Sequence, residues 1–370
     1  MTQNQEQCFS GSEDLGGKAG IYLTATRGLA SPEARICCER AEPLCVSLDR
    51  PLVLFAALIG LWRYSLMTEK LSSTMHIAER IYSLAEERND SAVMIGACRV
   101  LAVTLYFLGD FESTRQYAMR SAQIWRLGEL QSPVEEIMSP VVISLCYEAL
   151  SRWHFGEIAS SQAGMAEAIS LAQELNEMHG LAAALFHAGV LGHLEGSPAD
   201  VERLASDVID LCTRHHFAYW LAGGEVLRGW ARSASGSTAE GLAWIEDGIE
   251  NWRATGAMQF VPYWLALKAE ALHLADRTSE ALETIREAEA RAEASCEHWW
   301  CAELHRLRGV FLAAMGAEES QIEPSFCASI RIAKQQKSIL LEKRAEATYA
   351  EYRREKASGL GGRGFRLPLC

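Results

Sequence analysis

Side chains of the kind that bind zinc are concentrated in one ten-residue stretch, at Cys296, His298, Cys301 and His305. On a helix, Cys301 and His305 lie one turn apart and His298 lies two turns before His305, so three of the four could share a face. Cys296 precedes the predicted helix, however, and the spacing matches no standard zinc pattern. We therefore favour a buried thiol and histidines at a repeat junction, and we predict no metal site.

A second group, Cys212 with His215 and His216, has the residue types of a thiol nucleophile and its base. Histidines in the last turn of a helix also interact favourably with its dipole, and no third, orienting group is evident. The segment from Gly11 to Ala19 approaches a phosphate-binding G-x-x-x-x-G-K-[ST] loop, but its spacing is off by one and no hydroxyl follows the lysine. We therefore predict no catalytic residue, no cofactor and no enzyme.

The elements that carry these residues belong to a chain of 370 residues that is 49% hydrophobic and 22% charged. Its net charge of -13 disfavours direct nucleic-acid binding, because phosphate binding needs a basic field. Residues 1–20 hold no apolar signal segment and the 11 cysteines are scattered, which indicates reduced thiols in the cytoplasm. The apolar run from Leu52 to Trp62 is too short to span a bilayer, so we predict a buried helix and no membrane association.

Strong helix formers fill the stretches between the nine prolines, and hairpin signals are absent, so the chain is predicted to be all-α. Turn-compatible residues recur every forty positions, with one interval of 47 that fits an insertion between 131 and 140. These marks are Gly109, Gly156, Gly196, Gly236, Asp276 and Gly316. Forty positions before Gly109 is Glu69, the mark of the first unit. The residue seven positions before each mark is Ala or Gly, except for Trp62 before Glu69. A small residue there would let the two helices of one unit approach closely.

Each period is a helix, a turn and a helix, which predicts an α-solenoid of about seven tetratricopeptide-like units between Pro51 and Ile339. A C-terminal capping helix from Leu340 to Ala357 follows. The predicted organisation is a flexible leader (1–20), the solenoid (21–357) and a flexible Gly-rich tail (358–370).

Several segments resemble the C-terminal tetratricopeptide-repeat region of large bacterial predicted signalling ATPases. They are residues 60–64 (GLWRY), 105–111 (LYFLGDF), 227–231 (LRGWA), 252–257 (WRATGA) and 297–309 (EHWWCAELHRLRG). The resemblance covers roughly residues 20–357. Members of that family contain an AAA/STAND-type ATPase, often fused to a class III adenylate or guanylate cyclase or to a winged-helix domain. No residue of this chain matches the motifs of those catalytic domains.

The resemblance implies a non-catalytic, regulatory helical scaffold whose partner is a protein such as an ATPase or cyclase module. In this interpretation the chain is a stand-alone or truncated sensor region of a bacterial signalling ATPase or cyclase. The alternative is a part of an adenylate cyclase or transcriptional-regulator system in which the array binds a small ligand or peptide in an aromatic groove.

Aromatic residues between 219 and 264 are the candidates for such a groove, since half of the ten tryptophans lie between 220 and 264. Large aromatic side chains also fill gaps between long helices, and for most of them we favour that structural role. The inner helices of a solenoid can instead present them to a concave surface. The candidate partner-binding residues are Tyr219, Trp220, Trp230, Phe260, Tyr263 and Trp264.

Charge is distributed unevenly along the chain. Residues 331–370 carry a net charge of +6, which leaves -19 for the rest. A basic C-terminal segment could dock on an acidic surface, either of its own array or of a neighbouring copy, or it could be a solvated terminal helix.

Overall fold

The computed structural model describes residues 23–24, 28–68, 70–128 and 136–357; the predicted leader and the Gly-rich tail lie outside these ranges. Sixteen helices have both ends within the described ranges, where no strand occurs. They are α1 (Pro32–Ser47), α2 (Pro51–Thr68), α3 (Leu71–Arg88), α4 (Ser91–Leu108), α5 (Phe111–Gly128), α6 (Pro140–His154), α7 (Ile158–Glu174), α8 (Met178–Leu194), α9 (Pro198–His215), α10 (Ala218–Ala234), α11 (Thr238–Ala254), α12 (Val261–Leu274), α13 (Thr278–Ser295), α14 (Cys301–Ala314), α15 (Glu319–Gln335) and α16 (Ile339–Ala357).

Seven antiparallel helix pairs, from α2–α3 to α14–α15, follow α1, and α16 closes the array. The even-numbered helices pack against one another on the inside, and the odd-numbered helices of the pairs form the outside. Burial follows this division, since α4 buries fourteen of its eighteen residues and α5 buries five of its eighteen. The prediction of an all-α solenoid of about seven units with a closing helix is confirmed.

The forty-residue marks from Gly109 to Gly316 lie in the turns that connect the two helices of a pair, in the last six pairs. Five glycines and Asp276 adopt the left-handed conformation there, with φ between 59° and 99°. A second set with the same period lies at the junctions between pairs, at Asn176, His216, Gly256 and Cys296, where φ is 54° to 83°. The sequence did not reveal this second set because its residue types differ from one junction to the next.

Close approach of paired helices explains the small residues that precede the marks. A Cβ atom at Gly229 on α10 would lie 2.6 Å from the backbone oxygen of Gly241 on α11. At Gly309 on α14, it would lie 2.8 Å from the Phe326 ring on α15. The side chain of any larger residue would therefore push the two helices of the pair apart.

Two inner helices, α2 and α4, are long and apolar enough to cross a membrane by length and composition alone. Helix α2 extends beyond the apolar run seen in the sequence, to eighteen residues. Within these two helices, 50% and 78% of the residues are buried inside the protein. Such burial is typical of the core helices of a helical array, as predicted for the first of them.

The array curves back on itself, so that its first three units contact the segments that precede α12, α14 and α16. The backbone N–H of Met258 donates to the Met67 oxygen (2.7 Å), and that of His298 donates to the Phe107 oxygen (2.7 Å). His154 at the end of α6 shares a 2.8 Å hydrogen bond with Ser338, which lies 184 positions later, just before α16. These contacts close the inside of the array around the inner helices.

Candidate functional site

The six aromatic candidates all lie inside the array. Tyr219, Trp220 and Trp230 belong to α10, Phe260 lies directly before α12, and Tyr263 and Trp264 belong to α12. The exposed fraction of these residues is at most 6%. They line the inner side of the solenoid, as the sequence predicts, but they do not form an open concave surface.

Side chains from distant units fill the space that would otherwise be a groove. The Phe260 ring lies 5.1 Å from the Phe107 ring and 5.8 Å from the Trp299 ring, and it stacks on Trp264 at 5.4 Å. Trp264 itself is completely buried. Trp264 is thus part of the packed core, and so are Trp230 and Tyr263, because closure of the array brings the rings of distant units together.

Tyr219 and Trp220 differ from the other candidates because they line two cavities. We call the larger one the outer cavity; it has a volume of about 470 Å³, includes His179 and Phe217 in its wall, and reaches the surface at the exposed Asn251. The inner cavity, about 50 Å³, is lined by residues of α2, α4, α6, α8 and α10. Leu29, in the segment before α1, lines both cavities, as do Tyr219 and Trp220.

Two arginines give the inner cavity its charge. Arg63 on α2 and Arg99 on α4 line it and expose 7% and 4%. Arg99 donates to Glu136 at 2.7 Å and lies 4.9 Å from the centre of the Trp62 ring. Each arginine is the single charged residue of its apolar helix. A lone charge within an apolar helix is visible in the sequence and could have indicated these two residues.

A buried carboxyl group, Glu297, holds the loop that contains Phe260. Its oxygens accept from the Phe260 backbone N–H at 3.2 Å and from Trp299 Nε1 at 2.9 Å. Phe260 has a φ of 68°, which a bulky residue adopts only where its surroundings fix it. Burial raises the pKa of Glu297 to about 7, although both hydrogen bonds oppose this shift.

A second buried network joins α8, α10 and α12. Trp230 Nε1 donates to Glu270 at 2.8 Å, and the Tyr263 hydroxyl shares a 2.8 Å hydrogen bond with His193. Burial raises the pKa of Glu270 to about 7 and lowers that of His193 to about 3. Trp230 and Tyr263 therefore anchor polar groups inside the core.

The zinc candidates do not form a metal site. His298, Cys301 and His305 line one surface cleft of about 660 Å³, and His305 Nδ1 lies 3.1 Å from a Glu289 oxygen. Burial raises the pKa of the Cys301 thiol to about 12, which disfavours the thiolate that zinc requires. No cluster of three or more potential ligands occurs among the residues that the structure describes.

Cys212 is buried on α9, and burial raises the pKa of its thiol to about 12. His215 ends that helix, and His216 adopts the left-handed conformation that terminates it, at the rim of the outer cavity. A protonated, buried thiol is not a nucleophile at neutral pH. The burial of the thiol and the position of the two histidines at the helix end suit a structural role.

The basic C-terminal segment docks on its own array. Lys337 forms an ion pair with Glu112 at the start of α5. Arg344 on α16 donates to the Leu194 oxygen at the end of α8 (2.7 Å) and lies 5.5 Å from the centre of the Trp153 ring. Of the two surfaces that the sequence left open for docking, the structure shows the intramolecular one.

Comparison with known proteins gives the class. No family model matches the chain. An uncharacterized protein of Rhizobium meliloti (strain 1021) is 26% identical over 339 residues, which is 90% of this chain and 32% of that protein. The chain thus spans about a third of the length of this relative.

Two solved structures share the fold. A Rap protein complexed with competence and sporulation factor superposes with a TM-score of 0.63 at 8% identity, over 93% of this chain and 99% of that chain. The Rap conjugation gene regulator of the plasmid pLS20, in complex with the Phr* peptide, gives 0.53 at 11% identity, over 92% and 96%. The chain is therefore a tetratricopeptide-like helical-repeat protein.

Proposed function

We propose that this chain is a non-catalytic regulatory scaffold that binds a peptide or a protein segment at the outer cavity. The observation that carries the proposal is the position of Tyr219 and Trp220. They lie on an inner helix of the array and line a cavity of about 470 Å³ that reaches the surface. This volume is in the range of sites that hold small ligands or a few residues of a peptide.

The comparisons support the same interpretation. The two solved structures described above were determined as complexes, one with competence and sporulation factor and one with the Phr* peptide. Helical-repeat arrays in general use their inner surface for binding. Since fold alone does not define function, the cavity and its residues remain the main argument.

We further propose that the scaffold regulates a bacterial signalling ATPase or cyclase in the cytoplasm. The resemblance of residues 20–357 to the repeat region of such ATPases supports this proposal. The Rhizobium relative is about three times as long as the part that matches, so an array of this kind occurs there within a longer protein. A second module, or a separate protein, would then carry the catalytic activity.

The test compares two surface substitutions in the full chain. Ala218→Arg places a long cationic side chain at the mouth of the outer cavity, where Ala218 is exposed. Ala159→Arg is the matched control, because Ala159 is equally exposed near the start of the outer helix α7. A partner captured from the source cytoplasm by the wild type and the control, but not by Ala218→Arg, supports the proposal. Equal capture by all three, or ATP turnover or cyclic nucleotide formation by the purified chain, overturns it.

A further inference from the structure

The inner cavity contains polar atoms that the described part of the protein leaves without hydrogen-bond partners. These atoms are Trp220 Nε1, Arg99 Nε and His187 Nε2. The residues expose 5%, 4% and 2%, and all three line the cavity. Trp220 Nε1 and Arg99 Nε are donors, whereas His187 Nε2 is an acceptor, because His187 Nδ1 donates to the Ala183 oxygen (2.7 Å). A buried polar atom without a partner destabilises a fold by about 1–3 kcal/mol, so a cluster of them around one space needs an explanation.

Arg63 adds an unpaired cation to the same space. It is 93% buried, and no hydrogen bond or ion pair joins it to a described residue; its nitrogens are not among the fully buried atoms without partners, so they stay accessible from the cavity. Burial and the Arg99 charge lower its pKa, while the Glu136 charge opposes them. Glu136 already pairs with Arg99, so two guanidinium groups share one carboxylate.

Arg306 shows that the fold can supply hydrogen-bond partners for a buried arginine. Arg306 exposes 2%, donates twice to Glu303 and donates once to Thr348. Arg63 has a similar degree of burial but no such partners. A guanidinium that is almost completely buried without a hydrogen-bond partner is unfavourable, so retaining one is expected where it binds a ligand.

We propose that the inner cavity binds the carboxylate group of a ligand whose apolar part occupies the outer cavity. Arg63, Arg99 Nε and Trp220 Nε1 donate to the two carboxylate oxygens, as guanidinium and N–H groups do in charge-assisted pairs. A cavity needs about 10–15 Å³ of such volume to hold one water molecule, so about 50 Å³ has room for one carboxylate group. The C-terminus of a short peptide combines a carboxylate with an apolar side chain.

The outer cavity is built for the rest of such a ligand. Phe217 and Trp220 supply apolar surface, and Leu29 lies in the wall between the two cavities. The Arg63 charge also reaches the outer cavity, since it acts with burial to lower the pKa of His179 to about 4. A ligand in the outer cavity would therefore extend past Leu29 to Arg63 and Arg99 in the inner cavity. This inference rests on the proposed function and specifies the chemistry of its ligand.

The experiment uses the full chain and a pool of acetylated tripeptides of random sequence, prepared as free acids and as C-terminal amides. Isovalerate is added as a small carboxylate. Retention by the protein is detected by mass spectrometry, and Kd is measured by calorimetry. Free acids are expected to bind at least ten-fold more tightly than amides. A tripeptide that binds more tightly than isovalerate identifies a peptide ligand, and equal affinities identify a small organic acid; both support the carboxylate site.

Substitutions test which residues bind the carboxylate. Arg63→Met should weaken free-acid binding at least ten-fold and Trp220→Phe about three-fold, because charged and neutral donors differ by about that much. Arg115→Met, outside both cavities, should leave Kd unchanged. Without ligand, Arg63→Met should raise the Tm by about 1–3 °C, because it removes an unpaired buried charge. A merely structural Arg63 would instead give a lower Tm.

Two results would overturn the inference: no preference for free acids, or unchanged affinity in Arg63→Met. The two proposals fail separately. If no carboxylate binds but Ala218→Arg still abolishes partner capture, the inference alone is wrong. If carboxylates bind through Arg63 but Ala218→Arg leaves capture unchanged, the scaffold proposal alone is wrong.

Discussion

The buried carboxyl group of Glu297 makes a quantitative prediction about pH and stability. Its pKa is raised from 4.5 to about 7, mainly by burial, and the residue exposes 3%. Between these two pH values the folded chain holds a proton that the unfolded chain has released. The stabilisation is therefore complete below pH 4.5 and is lost as the pH rises through about 7.

The size of the effect follows from the same two values. At about 1.4 kcal/mol for each pH unit, the gap between 4.5 and about 7 corresponds to about 3 kcal/mol of unfolding free energy. About 2–3 kcal/mol of this is lost between pH 5 and pH 8. The substitution Glu297→Gln keeps an oxygen that accepts from Phe260 and Trp299 but carries no ionisable proton.

We therefore expect the unfolding free energy of Glu297→Gln, relative to the wild type, to rise by about 2–3 kcal/mol between pH 5 and pH 8. The assay is urea unfolding followed by far-UV circular dichroism at four pH values. Buried histidines act in the opposite direction, since burial lowers the pKa of His187 to about 4. Their contribution is the same in both proteins and cancels in the difference.

Glu283→Gln is the matched control, because Glu283 is exposed on α13, the helix that precedes Glu297. Its difference from the wild type should stay constant over the same pH range. If the Glu297→Gln difference is also constant, Glu297 is ionised throughout. The reasoning from burial would then be refuted.

Three further predictions concern the architecture. Gly229→Ala should destabilise the protein by about 1–3 kcal/mol in urea unfolding, because the added methyl group meets the backbone of α11. Gly164→Ala, with an ordinary 3.6 Å contact, should instead stabilise it by up to about 1 kcal/mol, and equal effects would contradict the packing argument. Arg344→Met should speed hydrogen exchange in residues 339–357, since it removes a hydrogen bond to α8 and a cation–π contact; unchanged exchange would show that α16 docks without it. In thiol labelling mapped by mass spectrometry, the exposed Cys327 should react in the folded protein and the buried Cys146 only after unfolding.

Much of the fold could be predicted because it repeats. A residue that permits the left-handed conformation is needed wherever the two helices of a pair connect, and this need recurs every forty positions, as at Gly196 and Gly236. Small residues such as Gly229 mark close contacts within a pair. Both requirements are local, so they leave a pattern in the sequence.

The candidate site could be predicted only in part. The sequence indicated Tyr219 and Trp220 because aromatic residues on inner helices are visible as a cluster. It did not separate them from Tyr263, which also lies near a helix start but is packed in the core. Arg63 and Glu297 were missed because their importance depends on what surrounds them, and neighbours such as Trp220 and Phe260 are remote in the sequence.

By itself the sequence determined the helix pairs, their number and the turns between them, since each depends on residues within one or two repeats. Only the tertiary structure decided that the array closes, so that Phe107 meets Trp299 and α16 docks beside α6 and α8. The physical reason is that small rotations between successive units add up over the whole array. That sum, which no local pattern encodes, fills the inside with aromatic rings and leaves the space in front of Arg63 as a cavity.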